Sequence, residues 1–245
     1  MRRGPASPRT SPWPSETFLA RLLEPHRKVL LTLGDIHTYP AGHVMVRQGD
    51  FGNLVFIVIH GLVKVTARTE NGRESLLAVR VRGDVIGDMA VLDGSARSAN
   101  LITCGVTVAR VIKGESFVNY LQRHPSAALT LSTLMSDRLR WSNQRRLEFA
   151  GYDSDVCLAR LLLALVARHG RTGPEGMDLG VPLTQTELGG LIGAKESTVQ
   201  KILRDLSARG LVRTGHRRVV ITDLPGLAAF ANLDPVALEN LPANP

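Results

Sequence analysis

One segment of the 245-residue chain combines residue types that can bind a phosphorylated sugar. It runs from Gly83 to Ala99, is rich in glycine, and carries Arg97 and Ser98 side by side. Glycine lets backbone N–H groups approach an anion closely, and guanidinium and hydroxyl groups donate hydrogen bonds to phosphate oxygens. The Asp88 carboxylate would repel a phosphate, but it can accept a hydrogen bond from a sugar hydroxyl. The residues alone leave two interpretations open, a pocket for a phosphorylated sugar and a β-hairpin loop with a surface arginine.

The sequence around this segment predicts a β-rich domain that follows two short helices. Apolar residues recur at helical spacing from Ser15 to Thr32, where Pro25 interrupts them. From Ile36 to Val111, short runs rich in β-branched residues alternate with turn residues, which is typical of an all-β sandwich or a barrel-like roll. The predicted strands are His43 to Val46, Leu54 to Ile59, Leu62 to Ala67, Ser75 to Val79, Ser98 to Thr103 and Val106 to Ile112.

Two helices are predicted after the β-rich region. The first spans Glu115 to Gln122 and is stopped by Pro125. The second spans Ser126 to Ala150, about 25 residues, which is longer than most helices of globular proteins. One of its faces repeats near every 3.5 residues and so indicates a coiled-coil dimer, with an ordinary core helix as the alternative. The predicted dimer seam contains Leu131, Met135, Leu139, Ser142, Arg146 and Phe149.

The rest of the chain predicts a winged helix-turn-helix. Thr184 and Glu187 have the spacing of a capping box, so a helix begins there, and Gly193 lies where it ends. A second helix and a two-stranded hairpin follow, which completes the motif. The predicted elements are a helix from Asp155 to His169, a loop or small hairpin from Gly170 to Pro182, a helix from Glu196 to Ala208, and a hairpin from Leu211 to Thr222 that turns at Gly215.

The positive charge near this motif favours a polyanionic partner. The chain has a formal net charge of +8, yet residues 152–245 carry equal numbers of basic and acidic residues. Between residues 195 and 218, however, seven lysines and arginines stand against two acidic residues, on the second helix and the hairpin. Aromatic residues are only 4% of the chain, too few for stacking single-stranded bases. Double-stranded DNA is therefore the expected partner, and a solvated basic surface is the alternative.

The composition excludes several other classes of protein. The longest apolar runs, Leu54 to Ile59 and Leu161 to Ala167, are far shorter than the roughly 18 residues that predict a membrane span. Cys104 and Cys157 are the only cysteines, so neither a disulfide framework nor a four-cysteine metal site is expected, and a reducing cytoplasm is the default location. No catalytic motif occurs, so we expect no catalytic residue, no metal and no catalytic cofactor. Residues 1–14 are expected to form a flexible basic tail.

The order of these features resembles the CRP/FNR family of bacterial transcription regulators. The segment from Gly83 to Ala99 is similar to the phosphate-binding cassette of cyclic-nucleotide-binding domains. Further matching stretches are Gln48-Gly49-Asp50, Met135 with Arg138-Leu139, and Leu188 to Val199. The resemblance implies an α+β fold with a basic tail (1–14), a cyclic-nucleotide-binding-like β-roll with flanking helices (15–125), a dimerisation helix (126–151), and a winged helix-turn-helix with a C-terminal tail (152–245).

The resemblance also implies a cyclic-nucleotide site. In the family, a glutamate at the position of Asp88 binds the ribose, residues at Arg97 and Ser98 bind the cyclic phosphate, and residues at Ser142 and Asn143 contact the base across the dimer. Cyclic AMP is the first expected effector, while another nucleotide, a different effector and no effector stay open. The implied nucleotide-binding residues are Gly87, Asp88, Met89, Arg97, Ser98, Ser142 and Asn143.

Three departures from the family pattern bear on this site and on the dimer. Asp88 is one methylene shorter than glutamate, which removes about 1.5 Å of reach. The loop between Gly87 and Arg97 is also a residue shorter than in the cyclic AMP receptor protein. Arg146 occupies a seam position that is normally apolar, so we expect it either to splay the seam or to pair with Glu148 of the partner subunit.

The same resemblance places the second helix of the helix-turn-helix in the major groove. The expected base contacts are Glu196, Ser197, Gln200 and Lys201, of which lysine suits guanine, glutamine suits adenine and glutamate suits cytosine. Two copies of the motif imply a near-palindromic operator with half-sites about 34 Å apart. The candidate phosphate contacts are Thr184, Thr186, Thr198, Arg204, Arg213, Arg217 and Arg218.

Together these features predict a homodimeric, sequence-specific transcription regulator. We expect effector binding to shift the packing of the long helices and thereby the spacing of the recognition helices. The expected partners are double-stranded DNA and a second copy of the chain, with RNA polymerase as a further candidate and no membrane. The alternatives are a family member with a vacant pocket or another effector, a nucleotide-regulated enzyme subunit, and a non-specific DNA binder.

Overall fold

The computed structural model describes residues 12–70, 72 and 74–233. Over this part of the chain a β-roll, a long helix and a winged helix-turn-helix follow one another, which confirms the predicted α+β fold. Residues 1–11 of the predicted basic tail and residues 234–245 lie outside the described residues, whereas Trp13 packs against the core of the β-roll. The elements are α1 (Phe18–Arg21), α2 (Glu24–Leu30), β1 (Asp35–Tyr39), β2 (Val44–Val46), β3 (Leu54–His60), β4 (Val63–Arg68), β5 (Glu74–Arg80), β6 (Val85–Ile86), α3 (Asp88–Asp93), β7 (Asn100–Thr103), β8 (Thr107–Lys113), α4 (Gly114–Arg123), α5 (Pro125–Gly151), α6 (Ser154–His169), β9 (Arg171–Gly173), β10 (Gly176–Asp178), α7 (Gln185–Ile192), α8 (Glu196–Ala208), β11 (Val212–Gly215), β12 (Arg218–Ile221) and α9 (Leu224–Phe230).

The β-roll contains two four-stranded antiparallel sheets. Their strand orders are β1-β8-β3-β6 and β2-β7-β4-β5. Strand β3 is apolar along most of its length because both of its faces are covered. Val55 and Ile57 pack against the flanking helices, while Phe56 and Val58 point into the core shared with the other sheet. The alternation of side chains along a strand thus divides one apolar run between two cores.

A short helix, α3, lies inside the glycine-rich segment and was not predicted. It begins after Gly87 and ends at Gly94, whose φ angles are +76° and +72°. Both residues adopt the left-handed conformation that glycine reaches without a steric penalty. The segment is therefore a strand, a tight turn and a helix, which rules out the simple hairpin loop.

Helix α5 spans 27 residues and buries one stripe of side chains against its own protomer. Ala127, Leu131 and Leu134 join the core of the β-roll, and Arg145 and Glu148 are buried near the other end. Leu131 is only 3% exposed. This removes Leu131 from the predicted dimer seam, because its side chain is already covered by its own protomer.

The C-terminal domain contains the predicted helix-turn-helix, α7 and α8, beside a four-stranded sheet in the order β11-β12-β10-β9. The segment from Gly170 to Pro182 therefore contributes a hairpin that extends the wing. The predicted turn at Gly215 is wrong by a residue, because Gly215 still pairs with Arg218. The turn falls on His216 and Arg217, and Arg217 has a φ of +53°.

The segment after residue 223, for which no structure was predicted, forms helix α9. The Asp223 side chain caps it by accepting a hydrogen bond from Gly226 N at 2.9 Å. Leu227 and Ala228 are fully covered and belong to the same buried cluster as helix α6. This part of the predicted C-terminal tail is therefore part of the domain core.

The winged helix-turn-helix is docked on strands β4 and β5 of the β-roll. Leu76 and Val79 of β5 share one buried cluster with apolar residues of α6, α7 and α8. A Cβ on Gly190 of α7 would lie 2.9 Å from Leu76 N, so only glycine permits this approach. Lys64 Nζ lies 2.5 Å from Glu187 Oε1, and the two side chains are 10% and 22% exposed. We call this contact, formed by Lys64, Leu76, Val79, Glu187 and Gly190, the docking interface.

Candidate functional site

Arg97 holds the glycine-rich segment in place. Its Nη1 donates a hydrogen bond to Gly87 O at 2.7 Å, and its Nη2 donates one to Leu54 O at 2.8 Å. Its backbone is fixed as well, because Arg97 N donates to Asp50 O at 2.9 Å and Arg97 O accepts from Gly49 N at 2.8 Å. A guanidinium has five N–H donors, so these bonds leave others free for a ligand.

Asp88, the expected ribose ligand, is paired with the long helix. Its Oδ2 and Oδ1 lie 3.2 Å and 3.5 Å from Arg138 Nη1, and the residue is 3% exposed. Arg138 Nη2 donates to Val85 O at 2.7 Å. Burial raises the pKa of the neighbouring Asp84, while the positive charges of Arg80 and Arg138 oppose that shift. The glycine-rich segment and helix α5 are thus joined by a buried ion pair.

A cleft opens beside this ion pair, and both Asp88 and Arg138 are part of its lining. Five of the seven predicted nucleotide-binding residues line it, namely Gly87, Asp88, Met89, Arg97 and Ser98. The apolar part of the lining consists of Val46, Val65, Ile86, Ala90, Ala99 and Leu101.

Ser142 and Asn143, the predicted base contacts, lie outside this lining. Both are exposed on α5, about one turn beyond Arg138. A single protomer therefore does not bring them to the cleft.

Sequence reasoning missed two arginines that do line the cleft, Arg80 and Arg138. Arg138 lies on the buried stripe of α5 that also carries Leu134 and Arg145, and a charge on such a stripe is a detectable signal. Arg80 could not be recognised, because the pairing of β4 with β5 shifts register near Leu76. Such an irregularity changes which face each following side chain occupies.

The exposed face of α5 is apolar at several positions. Met135 packs partly against the core of the β-roll, while Ser142 and Arg146 are exposed. The large exposed side chains are Leu129 (70%), Leu139 (61%), Leu147 (67%) and Phe149 (42%). Leu139, Ser142, Arg146 and Phe149 of the predicted seam are thus accessible, while Leu129 and Leu147 lie on another side of the helix.

Glu148 is held inside its own protomer, where α5 meets α6. Its carboxylate lies 3.3 Å from Arg145 Nη2 and 3.8 Å from Arg160 Nη1. The Arg160 guanidinium also stacks 4.1 Å from the centre of the Tyr152 ring and donates to Ala231 O at 2.9 Å. The expected pairing of Arg146 with Glu148 of the partner subunit is therefore wrong, because this carboxylate is buried and already paired.

The start of α7 is organised by the predicted capping box. Thr184 Oγ1 accepts from Glu187 N at 3.2 Å, and Glu187 Oε2 accepts from Thr184 N at 2.8 Å. Thr186 Oγ1 donates to Glu196 Oε2 at 2.6 Å, which ties the first turn of α7 to the first turn of α8. The predicted base contacts Glu196, Ser197, Gln200 and Lys201 are all exposed, whereas Thr198 is half-buried.

The wing cations are partly neutralised. Arg213 Nη1 lies 2.5 Å from Glu175 Oε1, and Arg218 Nε lies 2.6 Å from Asp178 Oδ2. The hydrogen bond to Asp178 raises the pKa of Arg218. Within the described part of the chain Arg217 makes no ion pair, and the same holds for Lys195, Lys201 and Arg204 on or next to α8. Four of the seven cations between residues 195 and 218 are thus free of carboxylates.

The described residues contain neither a membrane-spanning helix nor a metal-binding cluster. No helix there is long and apolar enough to cross a membrane. Over the same residues, no group of three or more histidine, cysteine, aspartate or glutamate side chains is arranged to hold a metal ion.

Comparison with known protein families matches both parts of the chain. Residues 36–124 match the cyclic nucleotide-binding domain, and residues 158–230 match the Crp-like helix-turn-helix domain. The first match covers the β-roll with its cleft, and the second covers α7, α8, the wing and α9.

Individual proteins are similar over most of this chain. It is 29% identical over 193 residues to the CRP-like cAMP-activated global transcriptional regulator of Mycobacterium tuberculosis, covering 79% of this chain and 86% of that protein. It is 27% identical over 188 residues to the cAMP-activated global transcriptional regulator CRP of Salmonella typhimurium, covering 76% and 89%. The solved structure of the c-di-GMP responsive global regulator CLP of Xanthomonas campestris shares the fold, with a TM-score of 0.71, 22% identity and coverage of 81% and 99%.

Proposed function

Because the chain belongs to the CRP/FNR family of transcription regulators, we propose that it is a homodimer that binds a specific DNA operator under the control of a cyclic nucleotide. Cyclic AMP is the first candidate, since both relatives described above are named as cAMP-activated. The role is regulatory and not enzymatic. It is exercised in the cytoplasm, where the operator and RNA polymerase, a further candidate partner, are met.

The observation that carries this proposal is the ion pair between Asp88 and Arg138. Asp88 belongs to the nucleotide cleft, and Arg138 belongs to the helix that leads to the DNA-binding domain. A ribose hydroxyl that donates to Asp88 changes the partners of this carboxylate and hence the position of Arg138. Binding in the cleft is thereby coupled to α5, a connection between two distinct sites.

The homodimer is supported by the uncovered face of α5. Leu139 and Phe149, on the predicted seam, are 61% and 42% exposed. Burying them against a second copy is favourable by about 25 cal/mol per Å² of apolar surface. In that dimer Ser142 lies in the seam and Asn143 is next to it, so both are able to reach the partner's cleft.

DNA binding places α8 in the major groove with Glu196, Ser197, Gln200 and Lys201 at the base edges. The hydrogen bond from Thr186 holds Glu196 in one orientation, which favours acceptance from a cytosine amino group. Arg204 and Arg217 are the phosphate contacts with the least competition from carboxylates. Thr184, Thr198, Arg213 and Arg218 contribute after small rearrangements.

Allosteric control requires two states of the protein, and the docking interface defines one of them, in which the winged helix-turn-helix is held against the β-roll. Lys64 pairs with Glu187 in the first turn of α7, next to Thr184, where a DNA phosphate would bind. Strand β4 and the duplex compete for this turn. In our proposal the docked arrangement is the form with low DNA affinity, and nucleotide binding releases it through Arg138 and α5.

The test of nucleotide control uses the full-length protein and an operator selected from random duplexes. We expect saturating cAMP to raise the melting temperature and to increase operator affinity at least tenfold. Ser98→Ala should weaken cAMP binding several-fold, because Ser98 lines the cleft. Ser95→Ala, in the same segment but outside the lining, is the matched control. If no cyclic nucleotide alters stability or operator affinity, the proposal of control by a cyclic nucleotide is wrong. Binding to the selected operator then still tests the proposal of specific DNA binding.

The test of the docked form uses Lys64→Met and Gly190→Ala. Each should raise operator affinity without nucleotide, because the first breaks the ion pair and the second places a Cβ against β5. Arg68→Met, at the exposed end of the same strand, is the control that should change nothing. Unchanged affinity in both docking variants would contradict the proposed competition.

A further inference from the structure

The cleft contains an arginine that has no role in the site so far described. Arg80, the last residue of β5, lines the cleft together with Arg97 and Arg138. Within the described residues no carboxylate lies within ion-pairing distance of its guanidinium, and no hydrogen bond from it is formed. Burial lowers its pKa to about 10 and Arg138 adds to this shift, so Arg80 is charged at neutral pH. A partly buried cation with free donors at a cleft wall needs an acceptor from a ligand.

The position of Arg80 along the cleft identifies which part of a nucleotide it meets. In the proposed site, Arg97 and Ser98 bind the phosphate of the nucleotide, and Asp88 binds its sugar. Arg138 binds Asp88. Arg138 and Asp88 both act electrostatically on Arg80, whereas Arg97 is not among the charges that do so. A nucleotide whose phosphate is at Arg97 therefore directs its base towards Arg80.

The chemistry of a guanidinium distinguishes between the purine bases. Arginine donates two parallel hydrogen bonds to O6 and N7 of guanine, whereas adenine offers N7 beside an amino group that is itself a donor. Much of the remaining lining is apolar, including Val65, Ile86 and Leu101, and the carboxylate of the lining, Asp88, is already paired with Arg138. Adenine would leave Arg80 partly unsatisfied, at a cost that guanine avoids.

The names of the relatives make cAMP the first candidate, but on the residues of this cleft we propose that Arg80 makes it selective for a guanine nucleotide over an adenine nucleotide. This inference rests on the proposed function, since it assumes a cyclic nucleotide bound with its phosphate at Arg97 and Ser98. The recognised group is the O6/N7 edge of the base. Cyclic GMP and cyclic di-GMP both present that edge, and they differ in whether a second nucleotide must be accommodated.

The experiment measures dissociation constants of cAMP, cGMP, cyclic IMP and cyclic di-GMP for the full-length protein by calorimetry. Cyclic IMP has O6 and N7 but lacks the guanine amino group, so it isolates the edge that Arg80 contacts. We expect cGMP and cyclic IMP to bind about tenfold more tightly than cAMP, the order of magnitude that one bidentate arginine contact supplies. Cyclic di-GMP binding with similar or higher affinity would identify the dinucleotide as the source of the guanine.

Two variants decide whether Arg80 is the cause. Arg80→Leu suits the apolar lining and should abolish the preference while keeping cAMP binding, and Arg80→Lys, which keeps the charge without the fork, should retain only part of it. Thermal denaturation confirms that each variant is folded. Tight cAMP binding that exceeds cGMP binding, or a preference unchanged in Arg80→Leu, overturns the guanine inference and leaves nucleotide control intact. Absence of binding by all four nucleotides overturns both.

Discussion

Two groups of arginines differ sharply in their surroundings. The first group, which we call the interior arginines, lines the nucleotide cleft and consists of Arg80, Arg97 and Arg138. Arg97 is 6% exposed, and the Arg138 side chain is 19% exposed. Arg97 and Arg138 are bound to backbone carbonyls, and Arg138 also to the buried carboxylate of Asp88, whereas the Arg80 guanidinium forms no ion pair within the described residues. The wing arginines, Arg213, Arg217 and Arg218, lie at the surface of the DNA-binding domain. The two that form ion pairs, Arg213 and Arg218, have side chains 61% and 55% exposed.

The difference decides what each group can do. A buried cation stripped of its partner is strongly destabilising, so the interior arginines specify one arrangement of the cleft and a narrow class of ligand. Exposed ion pairs contribute little to stability, so Arg213 and Arg218 are able to exchange a carboxylate for a phosphate at small cost. The interior group therefore suits recognition of one small molecule, and the wing group suits reversible contact with many phosphates.

The largest effect is expected from Arg97→Met. It removes the donors to Gly87 O and Leu54 O together, and should lower the free energy of unfolding by roughly 2–4 kcal/mol. Nucleotide affinity should fall by more than tenfold. Urea denaturation and calorimetry measure the two effects, and Arg97→Lys, which keeps the charge on a single nitrogen, should lie between. A stability loss no larger than that of a wing variant would break the distinction between the two groups.

The second prediction is that the protein loses folding stability at acidic pH. Burial lowers the pKa of His169 to about 4, and the charges of Arg168 and Arg80 add to this shift. In the unfolded chain this histidine titrates near pH 6.5, so between about pH 6.5 and 4 only the unfolded state takes up a proton. Stability should therefore fall as pH is lowered through this window, by up to about 3 kcal/mol at pH 4.

The measurement is urea denaturation at several pH values. His169→Gln should flatten the curve between pH 6.5 and 4, since it removes the titrating group. An equally steep curve in that variant would show that other groups cause the acid sensitivity and that the interior arginines do not act on His169.

A smaller effect is expected from Gly87→Ala. The residue has a φ of +76°, and an added Cβ would lie 3.0 Å from both Leu54 O and Arg97 Nη1. The left-handed conformation costs a residue other than glycine roughly 1–2 kcal/mol, and the contact displaces Arg97. We expect a matching loss of stability and weaker nucleotide binding. Gly94→Ala has a similar φ but no close neighbour, so it should lower stability without changing nucleotide affinity.

The smallest effect should come from the wing. Arg213→Ala and Arg218→Ala should leave the melting temperature unchanged and weaken operator binding a few-fold. Each should also reduce the slope of log affinity against log salt by about one, because one phosphate contact is lost. Glu175→Gln should strengthen binding slightly by freeing Arg213. A wing variant that unfolds the protein would show that these arginines are structural.

Much of the fold follows from local patterns in the sequence. The T-x-x-E spacing at Thr184 appears as the capping box, and the helices flanking Gly193 end and begin as predicted. The alternation of apolar runs with glycine turns yields the strands of the β-roll. These signals succeed because caps, turns and periodicity depend on residues close together in the chain.

The sequence by itself determined the order of the β-roll, the long helix and the winged helix-turn-helix, the family, and the five cassette residues that line the cleft. The tertiary structure alone decided which cations are neutralised, since Glu175 lies 38 positions from Arg213 and Asp88 lies 50 positions from Arg138. It also decided that Leu131 and Glu148 face inward, that Arg80 faces the cleft, and that α7 is docked on β5. The physical reason is that burial and pairing depend on distant segments brought together, which short-range patterns in the chain do not encode.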